Sequence, residues 1–128
     1  MPEKKVLIVE DEEVIINLLT QVFSRAGYTV RSAQNAEDAL KLLENEEIHV
    51  MFFDLNLPEM DGIQLCKKVK KNIPISLIYA ITGYASLFEL ADCREAGFED
   101  YFKKPVNAKT LIKTAEASFE KLERWRKG

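Results

Sequence analysis

The chain has 128 residues, 47% hydrophobic and 30% charged, with a formal net charge of −3. That is one domain's length, enough to bury a core without staples, and the mildly acidic balance argues against direct nucleic-acid binding by this chain alone. No apolar run approaches ~18 residues and no early apolar h-region follows a basic start, so neither a membrane span nor a secretory signal is expected.

Five short apolar runs alternate with five helical patterns. The first run is KVLIV, Lys5 to Val9. Val14, Ile15, Leu18, Leu19, Val22 and Phe23 then recur at helical spacing, and Gly27 stands where a helix-ending glycine belongs. YTVRSA reads as a second strand. Asn35 is a candidate N-cap, with Glu37 and Asp38 in the first turn and Ala39, Leu40 and Leu43 facing inward. HVMFFD is a third strand, apolar nearly throughout, as expected of a parallel strand covered on both faces. His49, just before it, lacks the partners of a metal site and reads as a surface residue.

A loop from Asn56 to Gly62 precedes a third helix carrying Ile63, Leu65, Cys66 and Val69, with Asp61 as its candidate cap. IPISLIYAI predicts a fourth strand with Pro74 at its start. Leu87, Leu90, Ala91 and Arg94 predict a helix that Gly97 closes. DYFKK is a short fifth strand, and Asn107 caps a last helix through Leu111, Ala115, Ser118 and Leu122. Its end, EKLERWRKG, is a charged helical tail from about residue 120. Cys66 and Cys93 have neither metal nor redox spacing and read as reduced thiols of a cytoplasmic protein. The βα alternation predicts a single doubly wound α/β domain over residues 1–128: a five-stranded parallel sheet with right-handed crossovers and helices on both faces.

Open parallel sheets bind ligands at the carboxyl ends of their strands. Glu10 and Asp11 end the first strand, Asp54 the third, Thr82 the fourth and Lys104 the fifth. Three acids, a hydroxyl and an ammonium therefore share one edge. Crowded carboxylates demand a counter-ion, and an oxygen-only donor set favours Mg2+ over Zn2+. A carboxylate beside Mg2+ and a lysine is a plausible phosphoryl acceptor. Taken singly, each residue has a plainer reading: Glu10 and Asp11 as helix caps, PEMDG as a turn, Thr82-Gly83 as a loop start, Lys103-Lys104-Pro105 as a basic strand end. Their joint placement on four strand ends favours the shared site.

VLIVEDE, DLNLPEMDG, AITGYAS and GFEDYFKKP together resemble the receiver domain of two-component response regulators, chemotaxis-regulator-like, from Lys4 to about Leu122. The resemblance implies the flavodoxin-like strand order 2-1-3-4-5. It implies that Asp54 is the phosphorylated residue, that Asp11 ligates Mg2+ with Glu10 beside it, and that Asp54 and the Asn56 carbonyl complete the metal site. Thr82 and Lys104 would contact the phosphoryl group, Pro105 would follow a cis peptide, and Thr82 and Tyr101 would form the switch. Asn56 and Tyr84 would flank the path of hydrolytic water.

Such a protein catalyses its own aspartyl phosphorylation and dephosphorylation rather than acting as a conventional enzyme. Its implied partners are a sensor histidine kinase or histidine phosphotransfer protein, and an output protein or domain met by the fourth helix, fifth strand and fifth helix. No nucleic acid or membrane is implied. Three features depart from the commonest pattern: Glu rather than Asp at position 10, Gly83 after the threonine, and Val106 after the proline. A hydrolase of the haloacid-dehalogenase type needs an acid where Asn56 stands. A flavodoxin-like cofactor binder needs a phosphate loop where the sequence is acidic. A pseudo-receiver that only docks partners is the alternative reading.

Overall fold

A computed structural model describes residues 3–84 and 86–127; Met1, Pro2, Gly128 and Ala85, the last within AITGYAS, lie outside the described residues. The strands are β1 (Lys5–Val9), β2 (Thr29–Ala33), β3 (Val50–Asp54), β4 (Leu77–Thr82) and β5 (Asp100–Lys103). Between and after them run α1 (Glu13–Arg25), α2 (Ala36–Asn45), α3 (Gly62–Asn72), α4 (Leu87–Ala96) and α5 (Ala108–Lys127). All pairings are parallel and the sheet order is β2-β1-β3-β4-β5.

Successive side chains of a strand point to opposite faces, and the two cores follow that alternation. Leu7, Val9, Met51, Phe53, Ile78 and Ala80 face α2, α3 and α4, meeting Ala39, Leu65, Cys66, Val69, Cys93 and Ala96. Val6, Ile8, Val50, Phe52, Tyr79 and Ile81 face α1 and α5, meeting Leu19, Phe23, Leu111 and Ala115. β3 is buried at every position, which is why HVMFFD reads as unbroken apolar sequence. Both cysteines are free and buried, and burial pushes the Cys66 thiol up to about 12. They serve as packing groups rather than nucleophiles.

Local signals set the boundaries. The Asn35 side chain accepts the Asp38 N–H at 2.8 Å. Asp61 and Gln64 form a reciprocal capping box, as do Ser86 and Glu89. Gly97 ends α4 with φ +108°, a left-handed conformation that glycine adopts without steric cost. One expectation needs correction. The fourth strand begins at Leu77, not near Ile73, because the Ser76 N–H and hydroxyl both turn back to the Ile73 carbonyl at 3.0 and 2.7 Å. In α4 the buried residues are Cys93 and Ala96, while Leu87 stands 84% exposed. Val14 and Leu18 of α1 are also exposed, and the buried residues of that helix are Ile16, Leu19 and Phe23, of which the sequence pattern did not include Ile16.

Candidate functional site

Four strand ends converge at the carboxyl edge. Glu10 follows β1, its backbone N–H held by the Ala33 carbonyl at 3.0 Å. Asp54 is the last residue of β3, in register with Ile81 of β4. Lys104 follows β5, its N–H donated to the Thr82 carbonyl at 2.8 Å, and the Lys104–Pro105 peptide is cis. Sheet register therefore carries an acid, an ammonium and a hydroxyl-bearing residue to neighbouring positions.

The Lys104 ammonium lies 3.0 Å from Glu10 Oε1, 3.3 Å from Asp54 Oδ2 and 3.6 Å from Glu12 Oε1. The contact with Asp54 is a hydrogen bond. Asp54 Oδ1 accepts the Asn56 N–H at 3.0 Å, so both oxygens of this nearly buried carboxylate are oriented. Glu10 is deeper still: its Oε2 accepts the Glu12 N–H at 3.1 Å. Its Oε1 has charge contact with Lys104 but no hydrogen-bond partner, a buried orphan oxygen. Burial raises the Glu10 carboxyl to about 7; Lys104 and the Glu12 N–H pull the other way, and the Asp54 charge adds to the rise. Burial disfavours the Lys104 charge, yet the adjacent Glu10 and Asp54 carboxylates outweigh it and raise its pKa.

Carboxylate oxygens of Glu10, Asp11 and Glu12 lie within 4.8 Å of one another. Within this cluster, the orphan Glu10 oxygen beside Asp11 fits a hard divalent cation of the Mg2+ type, while Glu12 also faces Lys104. Asp11 and Glu12 are exposed, so the cluster opens to solvent on one side.

Thr82 is buried but faces elsewhere: its hydroxyl donates to the Tyr84 carbonyl at 2.8 Å and accepts the Tyr84 N–H at 3.2 Å. The Tyr84 ring is exposed, as is much of Tyr101. The structure thus joins Glu10, Asp54 and Lys104, sets Asp11 beside Glu10, and leaves the Thr82 hydroxyl bound to its own loop. Glu12 was not singled out in the sequence, although the third acid of EDEE was its signal. Position alone did not show that its carboxylate turns toward the lysine.

Gly62 anchors the loop from below. Its N–H bonds the Leu55 carbonyl at 3.1 Å, and a Cβ there would run into the Asp54 carbonyl oxygen, with Leu55 Cα at 3.0 Å. Because the obstruction is backbone, relief requires moving the segment that carries Asp54. Gly62→Ala is expected to cost about 1–3 kcal/mol, measured as a lower urea midpoint. An unchanged midpoint would mean that this close approach is not stabilising.

A doubly wound sheet with acids and a lysine at its carboxyl edge defines an α/β domain whose polar site lies where such sheets bind ligands. Comparison with known proteins gives the family: residues 6–116 match the response regulator receiver domain, and the chain belongs to it. It is 37% identical over 106 residues to a cyclic di-GMP phosphodiesterase of Thermotoga maritima, covering 83% of this chain and 28% of that protein. It is 33% identical over 120 residues to the alkaline phosphatase synthesis transcriptional regulatory protein PhoP of Bacillus subtilis, covering 94% of this chain and 50% of that one. The chain therefore spans half or less of the length of these two curated relatives. A crystal structure of a CheY-like receiver domain from Methanospirillum hungatei superposes with a TM-score of 0.92 at 33% identity, covering 96% of this chain and 98% of that one.

Proposed function

We propose that this receiver domain accepts a phosphoryl group on Asp54 in a Mg2+-dependent reaction, from a phosphohistidine of a sensor kinase or phosphotransfer protein. The carrying observation is the Asp54 carboxylate, fixed at a strand end with Lys104 on one oxygen and the Asn56 N–H on the other. A carboxylate oxygen attacks phosphorus; the new O–P bond forms as the P–N bond to the donor imidazole breaks, leaving an acyl phosphate. Charge on the transferring group spreads over its three equatorial oxygens. Lys104 neutralises part of it, and the buried strand keeps Asp54 from swinging away. Asp11, Glu10, Asp54 and the Asn56 carbonyl would hold the Mg2+. When bound, the ion supplies further neutralisation of phosphate charge.

The switch follows from Thr82. A phosphoryl group at Asp54 offers new acceptor oxygens. For its hydroxyl to donate there, Thr82 must release the Tyr84 carbonyl, which loosens the loop before α4. Tyr101, on neighbouring β5, then moves inward from its half-exposed position. The readout face is α4, β5 and α5, where Leu87, Phe88, Tyr101 and Trp125 are exposed. An output protein or domain is the proposed partner, as is a cytoplasmic setting. The whole chain, charged tail included, is read as one receiver domain. Intact mass after incubation with a small phosphoramidate is the test: a phosphoryl adduct is expected with Mg2+ and none with chelator present. Equal labelling in both would overturn the proposal.

A further inference from the structure

We propose that Glu12 is a positioning residue for Lys104, keeping the ammonium at the sheet edge when a divalent cation engages Glu10 and Asp54. This rests on the phosphoacceptor reading and adds a residue to it.

Glu12 occupies the N-cap position of α1, with φ −85° and ψ 113°, yet its side chain caps nothing. Acids at that position usually accept an N–H from the first helical turn. Here the Glu12 carboxylate instead lies 3.6 Å from Lys104 Nζ. Its backbone is pinned from below, because the Glu12 N–H is donated to Glu10 Oε2 at 3.1 Å. The Glu12 side chain is 63% exposed, against 2% for Glu10 and 3% for Asp54. It reaches solvent, while the two inner acids are buried.

Lys104 is thus shared between two inner carboxylates and one on the rim. A divalent cation at the inner acids repels the ammonium and takes the charge that held it. Glu12 is the carboxylate of the three that remains free to keep it, and the flexible lysine stem allows the small displacement. Lys104 is then still at hand when a phosphoryl group reaches Asp54. Without Glu12, cation loading leaves the ammonium without its remaining carboxylate partner.

The experiment is calorimetric Mg2+ titration of the unsubstituted protein, Glu12→Gln, Glu12→Asp, Lys104→Met and the Glu12→Gln/Lys104→Met pair. Glu12→Gln is expected to weaken Mg2+ binding about threefold, the scale of one partly exposed ion pair. In the Lys104→Met background the same change should have almost no effect, a coupling that the double-mutant cycle reads directly. Glu12→Asp keeps the charge but shortens the reach, so it should resemble Glu12→Gln. An equal or larger Glu12→Gln effect without Lys104 would overturn the inference, as would full binding by Glu12→Asp; either result means that Glu12 acts on the cation itself, as a ligand or as a charge through space, and not through Lys104. Absence of Mg2+ binding by the unsubstituted protein would instead overturn the phosphoacceptor reading itself.

Discussion

Asp54→Asn is expected to abolish acyl-phosphate formation while leaving the fold intact. The amide is nearly isosteric with the carboxylate and retains an acceptor for the Asn56 N–H, now 3.0 Å from Oδ1. It has no anionic oxygen to attack phosphorus. Other acids stand close, so the result is specific. Glu10 is buried, with one oxygen on the Glu12 N–H and its pKa raised by burial. Asp11 and Glu12 are exposed in the connection between β1 and α1, Glu12 at the helix N-cap. Asp54 combines burial, a rigid strand and an ammonium hydrogen bond. The measurement is intact mass with a phosphoramidate and Mg2+, alongside a circular dichroism melt. Labelling of Asp54→Asn at the level of the unsubstituted protein would place the acceptor on another residue. Loss of labelling with an unfolded spectrum would be read through a second variant, Asp54→Glu, which keeps the acid but moves it by one methylene and should label far more slowly.

Much of this architecture was legible because single physical causes wrote it into the sequence. Strands covered on both faces need apolar residues at every position, and VLIV, VMFF and LIYAI declare themselves. Asn35, Asp61 and Gly97 mark helix ends by chemistry that acts within a few residues. The failures have the opposite character. Ile73 to Ser76 looks like strand, but a turn closes on the Ile73 carbonyl and delays pairing until Leu77. The helical pattern at Leu87 marks α4 but not its buried side, which is carried by Cys93 and Ala96 while Leu87 is exposed. Val14 and Leu18 likewise show that an apolar residue on a helix is not thereby a core residue. At the site, strand ends predicted the meeting of Glu10, Asp54 and Lys104. They did not predict the Thr82 hydroxyl bound to Tyr84 or Glu12 turned toward Lys104, because rotamers and loop hydrogen bonds are settled in three dimensions.

Glu10 should make the cation-free protein lose stability as pH rises. Its carboxyl is raised from 4.5 to about 7, with burial as the leading cause and the Asp54 charge adding to it. A carboxyl with a higher pKa when folded holds its proton more tightly in the native state. Its contribution is therefore fully favourable below pH 4.5, fades as pH rises through that range to about 7, and stays lost above it. Each pKa unit corresponds to about 1.4 kcal/mol, so the loss is on the order of 3 kcal/mol. Glu10→Gln removes the titrating group and keeps an acceptor for the Glu12 N–H. At pH 8 with chelator it should be more stable than the unsubstituted protein by an amount of that order, and the gap should close toward pH 4.5. Urea denaturation across this range, monitored by circular dichroism, gives both curves. Parallel curves would show that Glu10 is not the titrating group. Adding Mg2+ at pH 8 should recover stability in the unsubstituted protein but much less in Glu10→Gln, because a ligand that binds only the native state stabilises it by mass action. The buried acid that weakens the empty fold would then be the same acid that ties its stability to the cation.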